Sequence, residues 1–517
     1  MSITLDLFEY SSDANAQAAY VSDGVYTNDL CTGGTVLSGG DLTDQPASYA
    51  FDDTFATSWY SSQLGTGISG VAYIGYDFGS GIAYAIKRFT TTSGDQTATQ
   101  ITSVILQYSD NGSSWTDVQT FSIPTTLDTK TTQDVTETVT AHRYWRLLAN
   151  ANLAAGEAWR QREVEFMGIS LQSYSESTIK TQGSYSLKAI ASTSSLNKTL
   201  TRTVSPTIDL SSQTKWKFDM QSNRTGSNVK VGLRNQETDS YTKLLLHCDA
   251  SPFVDVIGKT LTNNGTITLD TTTKKFGAGS AVLNGSSQYF TLADSADFYL
   301  DADFTIDLQF YYDATYQNDG AIYWQRNTGD NDYKFLFGCD ATKLYFSFRD
   351  AATYYAQIDA THGMNLNAWN HLALVRYGNV YTIYVNGSSI GTATESHAMP
   401  NYTDTVYIGL RTDISTYLGG KIDELRVSKG IARWTGNFTP PTLAYGSTIE
   451  TTPNITSADT FQTVEVDISG VADADKNAID QIIITPTNAD SANTVYFDNM
   501  FAEIPALGGG LFFGINF

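Results

Sequence analysis

The sequence predicts an all-β chain built from β-sandwich and jelly-roll units, and three observations predict it. Apolar and polar residues alternate with period two in almost every segment, as in "TVYIGLR", "SVILQYSDNGSSW" and "YTIYVNGSSIGTA", the pattern of strands buried on one face. Turns recur as Asn-Gly, Gly-Ser and Asp-Asn-Gly, residues that tolerate the positive φ of tight hairpins. Helical periodicity is confined to "DANAQAAYV" and "DADKNAIDQI".

A chain of 517 residues exceeds a single core and predicts several domains. Its 54 acidic residues against 31 basic ones give a net charge of −23. That sign excludes nucleic acid as the expected partner, because phosphate binding needs a basic surface. It also disfavours an anionic membrane, and no apolar run approaches the ~20 residues of a membrane span. The opening "MSITLDLFEYSSDANAQ" has neither a basic start nor an apolar run, so the expectation is synthesis in a cytoplasm without a cleaved leader. Tyrosines, 31 of them against 25 phenylalanines, suit half-wet sheet faces and recognition surfaces. Cys31, Cys248 and Cys339 are too few for a disulfide framework or a zinc site, and leave room for a single Cys248–Cys339 bridge.

Taken in order, "LDLFEYSSDANAQAAYVSDG" (5–24) reads as a first strand and turn that resume at "SLQSYSES" (170–177). Between them, residues 26–169 hold an acidic loop before a Thr-Ser-Trp step (Asp52 to Trp59) and a strand ending in Asp77-Phe78-Gly79. A hairpin from Ser109 to Trp115, an Arg143-Tyr144-Trp145-Arg146 strand and a closing Glu163-to-Gly168 stretch follow. This order resembles the discoidin family, a galactose-binding-type β-sandwich. Asp53 stands where that family usually has Gly, and Asn111-Gly112 lengthens the hairpin by one residue.

Residues 241–445 carry "SAVLNGSSQYFTL", "WNHLALVR", "YTIYVNG" and "GKIDELRVSKGIARW" in that order. They resemble laminin-G-like, concanavalin A-type jelly rolls, and Asn386-Gly387 suits a two-residue hairpin. Residues 183–235 are an incomplete jelly roll, and residues 450–503, ending on "TVYFDNM", supply its missing strands. Together these pieces are similar to carbohydrate-binding-module-like jelly rolls. The reading is one host sandwich (1–25, 170–240 and 446–505) with two guests, 26–169 and 241–445, inserted in its loops. Insertion is tolerated where a host loop is exposed and the guest's ends lie close together. Three domains in a row is the weaker arrangement, since pieces of this size would leave strand edges unpaired. The tail "PALGGGLFFGINF" (within 505–517) is either a last strand or an apolar peg into a neighbouring subunit.

No catalytic constellation is visible. Glu163/Glu165, Glu465/Asp467 and Asp423/Glu424 are the closest carboxylate pairs, and the last are adjacent, pointing to opposite faces of a strand. The histidines show neither metal spacing nor a serine partner. A non-enzymatic binding protein is therefore expected. The discoidin resemblance implies a structural Ca²⁺ held by Asp52, Thr57 and Glu163, and the laminin-G-like one implies Ca²⁺ ligands at Asp249 and Asp423. For glycans, Tyr60, Trp159 and Arg160 line the loop end of the discoidin-like unit, with Trp159 ligand-facing and Trp59 and Trp115 in the core. Tyr311, Tyr312, Tyr354 and Tyr355 could contribute at most half their rings to a concave face of the third unit.

The nested architecture resembles structural proteins of tailed bacteriophages. The expectation is a virion surface protein, a tail component or a capsid decoration or fibre. It would be homo-oligomeric, bind host-surface or environmental glycans, and contact other virion proteins through its tail. A secreted accessory protein for polysaccharide binding, or an architectural protein without ligand, stays open.

Overall fold

The computed structural model describes residues 2–504 apart from 81, 314–318, 328–329 and 352. The C-terminal stretch 506–517 lies outside the described residues.

Strands from three distant parts of the chain build the first sandwich. One sheet runs Leu171–Glu176, Ser186–Ala191, Asn493–Glu503, Lys215–Ser222 and Gln462–Asp467, with Ser2–Asp6 also paired to Asn493–Glu503. The second sheet orders Val21–Ser22, Leu200–Ile208, Ile479–Pro486, Val229–Asn235 and Thr448–Thr451. Phe8, Trp216, Phe218, Leu233, Ile482 and Phe497 fill the space between them. The strand Asn493–Glu503 is long and half apolar because it is hydrogen-bonded on both edges and packs its alternate residues inward. The helix expected at "DANAQAAYV" forms as Asp13–Ala19, capped by the Ser12 hydroxyl. The second helical candidate does not form. Asp473–Asp475 makes one 3-10 turn, and Ile479–Pro486 is a strand, its isoleucines alternating into the core.

The second sandwich faces a five-stranded sheet (Thr35–Ser38, Tyr73–Asp77, Tyr144–Ala149, Ser103–Ser109, Thr116–Ser122) against a four-stranded one (Trp59–Leu64, Ala158–Met167, Arg88–Ser93, Lys130–Asp134). Trp59, Trp145, Trp159, Phe89 and Phe166 form its centre. Trp115, assigned to this core by its motif, is instead half-exposed. The Arg146 guanidinium lies between its ring (4.0 Å) and that of Tyr73 (4.3 Å).

The third sandwich has an eight-stranded sheet centred on Gly419–Lys429, Phe304–Tyr312 and Ala368–Tyr377, and a seven-stranded sheet that ends in Gly320–Asn327, Asp330–Cys339, Lys343–Asp350 and Thr353–Thr361. Asn386 and Gly387 both take positive φ (50° and 76°), the geometry of the two-residue hairpin expected there. Phe304–Tyr312 is buried on both faces, because the segment after Lys429 returns across the outer side of its sheet. Trp434 and Phe438 stack there at 4.0 Å. Beneath them Asp307 and Arg426 form a buried ion pair at 3.1 Å. Burial alone would raise the Asp307 carboxyl, but Arg426, with His371 and the Tyr445 hydroxyl, holds it at about 2.

The segments entering and leaving the third sandwich are fixed side by side. Arg433 donates to Asp239 (3.0 and 3.2 Å) and to the Ser428 hydroxyl (2.7 Å). His247 bridges Glu424 (2.7 Å) and Glu237 (3.0 Å). Asp475, in the first sandwich, accepts from the amides of Thr442 (2.6 Å) and Leu443 (3.1 Å). All three cysteines are buried free thiols, so the Cys248–Cys339 bridge does not form. Among the described residues no helix is long and apolar enough to cross a membrane.

Candidate functional site

The strand Ala158–Met167 organises the loop end of the second sandwich. Arg160 pairs across the sheet with Tyr60, and its guanidinium lies 5.1 Å from the centre of that ring. The same guanidinium forms an ion pair with Asp95, while Arg162 reaches Asp95 (3.3 Å) and Asp128 (3.0 Å). Gly94 permits this arrangement, because a Cβ there would stand 2.4 Å from the Arg160 Cδ. Two fixed guanidinium planes, two carboxylates and a half-buried phenol thus share one rim. Fixed planar donors beside carboxylate acceptors can address neighbouring hydroxyls of a polyol, and an aromatic ring suits its C–H face.

Trp159 corrects an expectation. Its ring is fully buried, edge-on to Trp59 at 5.2 Å, and its indole N–H is within 3.1 Å of the Gln161 amide oxygen once that amide is oriented to its neighbours. It is core, not a ligand platform. The strand is bulged between Ala158 and Arg160 and again between Gln161 and Glu163. A bulge shifts which residues face inward.

Glu163, on the same strand, is buried, yet neither carboxylate oxygen has a hydrogen-bond partner. Burial, then the charges of Asp52 and Asp53, push its carboxyl up to about 8. Asp52 accepts from the Thr57 hydroxyl (2.7 Å) and from the Thr54 amide (3.2 Å). The Thr57 hydroxyl also lies 3.5 Å from the Tyr49 carbonyl. An unpartnered buried carboxylate beside a second carboxylate and a hydroxyl fits an oxygen-preferring divalent cation. Among the described residues no three His, Cys, Asp or Glu side chains form a metal-holding group by themselves, so hydroxyl, carbonyl or water oxygens would have to complete the shell.

Asp249 and Asp423 stand together around the loop 273–279. The Asp423 Oδ2 accepts from the amides of Lys275 (2.9 Å) and Phe276 (3.0 Å), while its Oδ1 is buried and unpartnered. Burial is the main cause that raises its carboxyl to about 7. Asp249 accepts from the amides of Ala278 and of Gly279 (3.0 Å), and fills the space a side chain at Gly277 would need. Both side chains hold the loop. The remaining carboxylate candidates are also engaged. Glu165 binds the Thr90 hydroxyl (2.8 Å) and Lys130 (2.5 Å), and Glu465 pairs with Lys215 and Lys217 (3.1 Å).

Sequence reasoning set Tyr60 and Arg160 at the loop end of this sandwich and Asp52, Thr57 and Glu163 between its acidic loop and closing strand; the structure puts Arg160 opposite Tyr60, Glu163 on the same strand as Arg160, and the Thr57 hydroxyl on Asp52. It missed Asp95 and Asp128, whose loops lie far from Arg160 in the chain. The glycine preceding Asp95 was their only local signal.

Residues 35–164 match the family model of the F5/8 type C domain, and residues 284–432 match that of the concanavalin A-like lectin/glucanases superfamily (laminin G type). The chain thus contains a discoidin-like domain and a concanavalin A-like domain within an all-β architecture of several sandwiches. Similar solved structures include Domain 4 of AbnA, a GH43 extracellular arabinanase from Geobacillus stearothermophilus, in complex with arabinotriose (20% identity, 38% of this chain and 95% of that chain, TM-score 0.30). A CBM32 module from Clostridium perfringens in complex with GalNAc-beta-1,3-galactose is another (15% identity, 28% and 99% covered, TM-score 0.23). CBM62 from Clostridium thermocellum Xyl5A is a third (23% identity, 26% and 94% covered, TM-score 0.22). The comparison with curated proteins returns no match.

Proposed function

We propose that this chain is a non-catalytic glycan-binding protein of a bacteriophage virion surface, a tail component or a capsid decoration or fibre, and that it works in several copies. The observation that carries the binding part is the Arg160–Tyr60 stack with Asp95, Arg162 and Asp128 around it. The side chains of this rim are already paired with one another without a ligand, which lowers the ordering cost of binding. Its charges are already paired, so it suits neutral or weakly charged sugar hydroxyls. Each site would bind weakly, and repeated copies on a particle would raise the avidity.

Ca²⁺ belongs to this proposal. Glu163, Asp52 and the Thr57 hydroxyl would hold it, and a bound cation would supply the positive partner that the buried Glu163 carboxylate lacks. The chain's own residues then set the loop 52–57 against the strand carrying Arg160. For Asp249 and Asp423 the geometry favours loop anchoring over ligation. The tail 506–517 is retained as the proposed contact with other virion proteins.

A glycan array probed with the full chain, with and without Ca²⁺, tests binding. Calcium-dependent saccharide binding supports the reading, and a blank array under both conditions favours the architectural alternative. Mass spectrometry of purified particles against culture supernatant separates a virion protein from the secreted alternative.

A further inference from the structure

The chain crosses between the first and second sandwiches twice, and the two crossings lie side by side. The Val25 amide donates to the Ser170 hydroxyl at 3.1 Å, the Ser170 amide to the Val25 carbonyl at 2.8 Å, and the Thr27 amide to the Gly168 carbonyl at 3.0 Å. Gly24 permits the approach, because a Cβ there would stand 2.6 Å from the Ile169 side chain. Beside the crossings is a cleft of about 180 Å³ that neither the F5/8-like site nor the calcium candidates explain. An apolar cavity of about 150 Å³ admits a benzene-sized body.

What the cleft offers a ligand is mostly apolar. Tyr20 and Leu171 are buried, Ile169 is half-buried, and Val21, 61% exposed, forms the lip. The polar groups among them are already bonded within the protein. The Ser22 hydroxyl donates to the Leu171 carbonyl (2.6 Å), and the Ser173 hydroxyl is shared between the carbonyls of Tyr20 (3.2 Å) and Ala16 (3.3 Å). The Tyr20 hydroxyl donates to Asp6 (2.8 Å). Gln172 donates to the Ile169 carbonyl (3.0 Å) and accepts from the Tyr174 hydroxyl. A polyol would leave most of its hydroxyls without partners here, which is unfavourable.

Lys87, from the second sandwich, is the one charged residue in the lining. Its ammonium donates to the Glu137 carbonyl at 3.0 Å. Among the described residues it forms no ion pair, so two of its three N–H donors have no protein acceptor. Burial lowers this ammonium from its ordinary value, with the Glu137 charge opposing. An anion beside it would relieve a half-buried cation that is short of partners. Gln17, also in the lining, ties the helix Asp13–Ala19 to the second sandwich through the Val139 carbonyl (3.2 Å).

We infer that this cleft binds a small monocarboxylic acid, its ring or short alkyl chain against Tyr20, Val21, Ile169 and Leu171 and its carboxylate on Lys87. The apolar wall belongs mainly to the first sandwich and the cation to the second, so the bound acid ties the two together. The inference rests neither on the glycan site nor on calcium.

The test is a ligand-observed NMR titration of the full chain, in chelator, with benzoate and hexanoate against the neutral benzamide and hexanamide. The acids are expected to saturate with a Kd of about a millimolar or below, roughly tenfold tighter than the amides. Lys87→Met keeps most of the apolar stem. It should bring the acids to the level of the amides and leave the amides within about twofold. Val21→Asp, a change at the exposed lip, should weaken the acids roughly threefold through like-charge repulsion. An unchanged thermal transition shows that each variant folds. If Lys87→Met alone shifts that transition, Val21→Asp carries the test, and acids indifferent to it overturn the inference. Acids that bind no better than the amides, acids unaffected by a folded Lys87→Met protein, or no saturation at about ten times the expected Kd also overturn it.

Discussion

Arg160 lies across the ring of Tyr60, its cross-strand partner, with 5.1 Å between guanidinium carbon and ring centre. The contact fixes both side chains from opposite strands, and Asp95 holds the free edge of the guanidinium. Arg160→Lys keeps the charge but loses the planar fork, so it is expected to weaken saccharide binding about as much as Arg160→Ala. Titration calorimetry with the strongest array hit measures this. Recovery of wild-type affinity by lysine would show that only charge matters there.

Glu163 makes stability depend on pH. Its folded carboxyl sits at about 8, well above its ordinary value, because burial and then Asp52 and Asp53 oppose ionisation. A raised acid means that the folded form binds a proton which the unfolded form has released. Stability is thus full below about pH 4 and declines as pH rises toward 8. Without calcium the loss at pH 8 is on the order of 4 kcal/mol. Melting curves between pH 5 and 8 should show the decline, Ca²⁺ should reverse it, and Glu163→Gln should abolish both effects. A melt that ignores calcium at pH 8 would remove the cation from the account.

Trp159→Ala is expected to unsettle the second sandwich by about 3–5 kcal/mol, because it opens a cavity against Trp59. Surface-facing Tyr60→Ala should cost little stability. Urea denaturation of the two variants separates a core role from a ligand role.

In the third sandwich, removing one partner of the buried Asp307–Arg426 pair leaves a charge without compensation. Arg426→Met is expected to cost about 3–5 kcal/mol, and adding Asp307→Leu should restore part of it. A double-mutant cycle by thermal unfolding reads the coupling.

His247 titrates in the opposite sense from an ordinary buried histidine. Burial would lower it, but bonds to Glu424 and then Glu237 raise it to about 9. A raised histidine contributes fully below about pH 6.5, and its contribution is lost as pH rises through 9. Hydrogen exchange of residues 237–247 should therefore quicken between pH 7 and 9.5 beyond its intrinsic base catalysis, and His247→Gln should remove that excess.

The fold class was legible because period-two alternation is a direct trace of one-sided burial, as in the isoleucines of Ile479–Pro486. That same segment shows the limit of local reading. Its "DADKN" approach looked helical, yet sheet pairing with Leu200–Ile208 and Val229–Asn235 decided otherwise. At the site, Tyr60 and Arg160 were legible from motif position, whereas Trp159 was not. Its face depends on a bulge that no alternation pattern reveals. Asp95 and Asp128 were invisible for another reason, since only the folded sheet brings their loops to Arg162. The Trp115–Arg146–Tyr73 stack likewise needed three strands to be placed before it could be seen.

The most direct test of the central claim is a calorimetric titration of the full chain, in calcium, with the best saccharide from the array. The account predicts a saturable isotherm in the micromolar-to-millimolar range that weakens about tenfold in Tyr60→Ala while the fold persists. A Tyr60→Ala protein that binds the same sugar as tightly as the unaltered chain would contradict it.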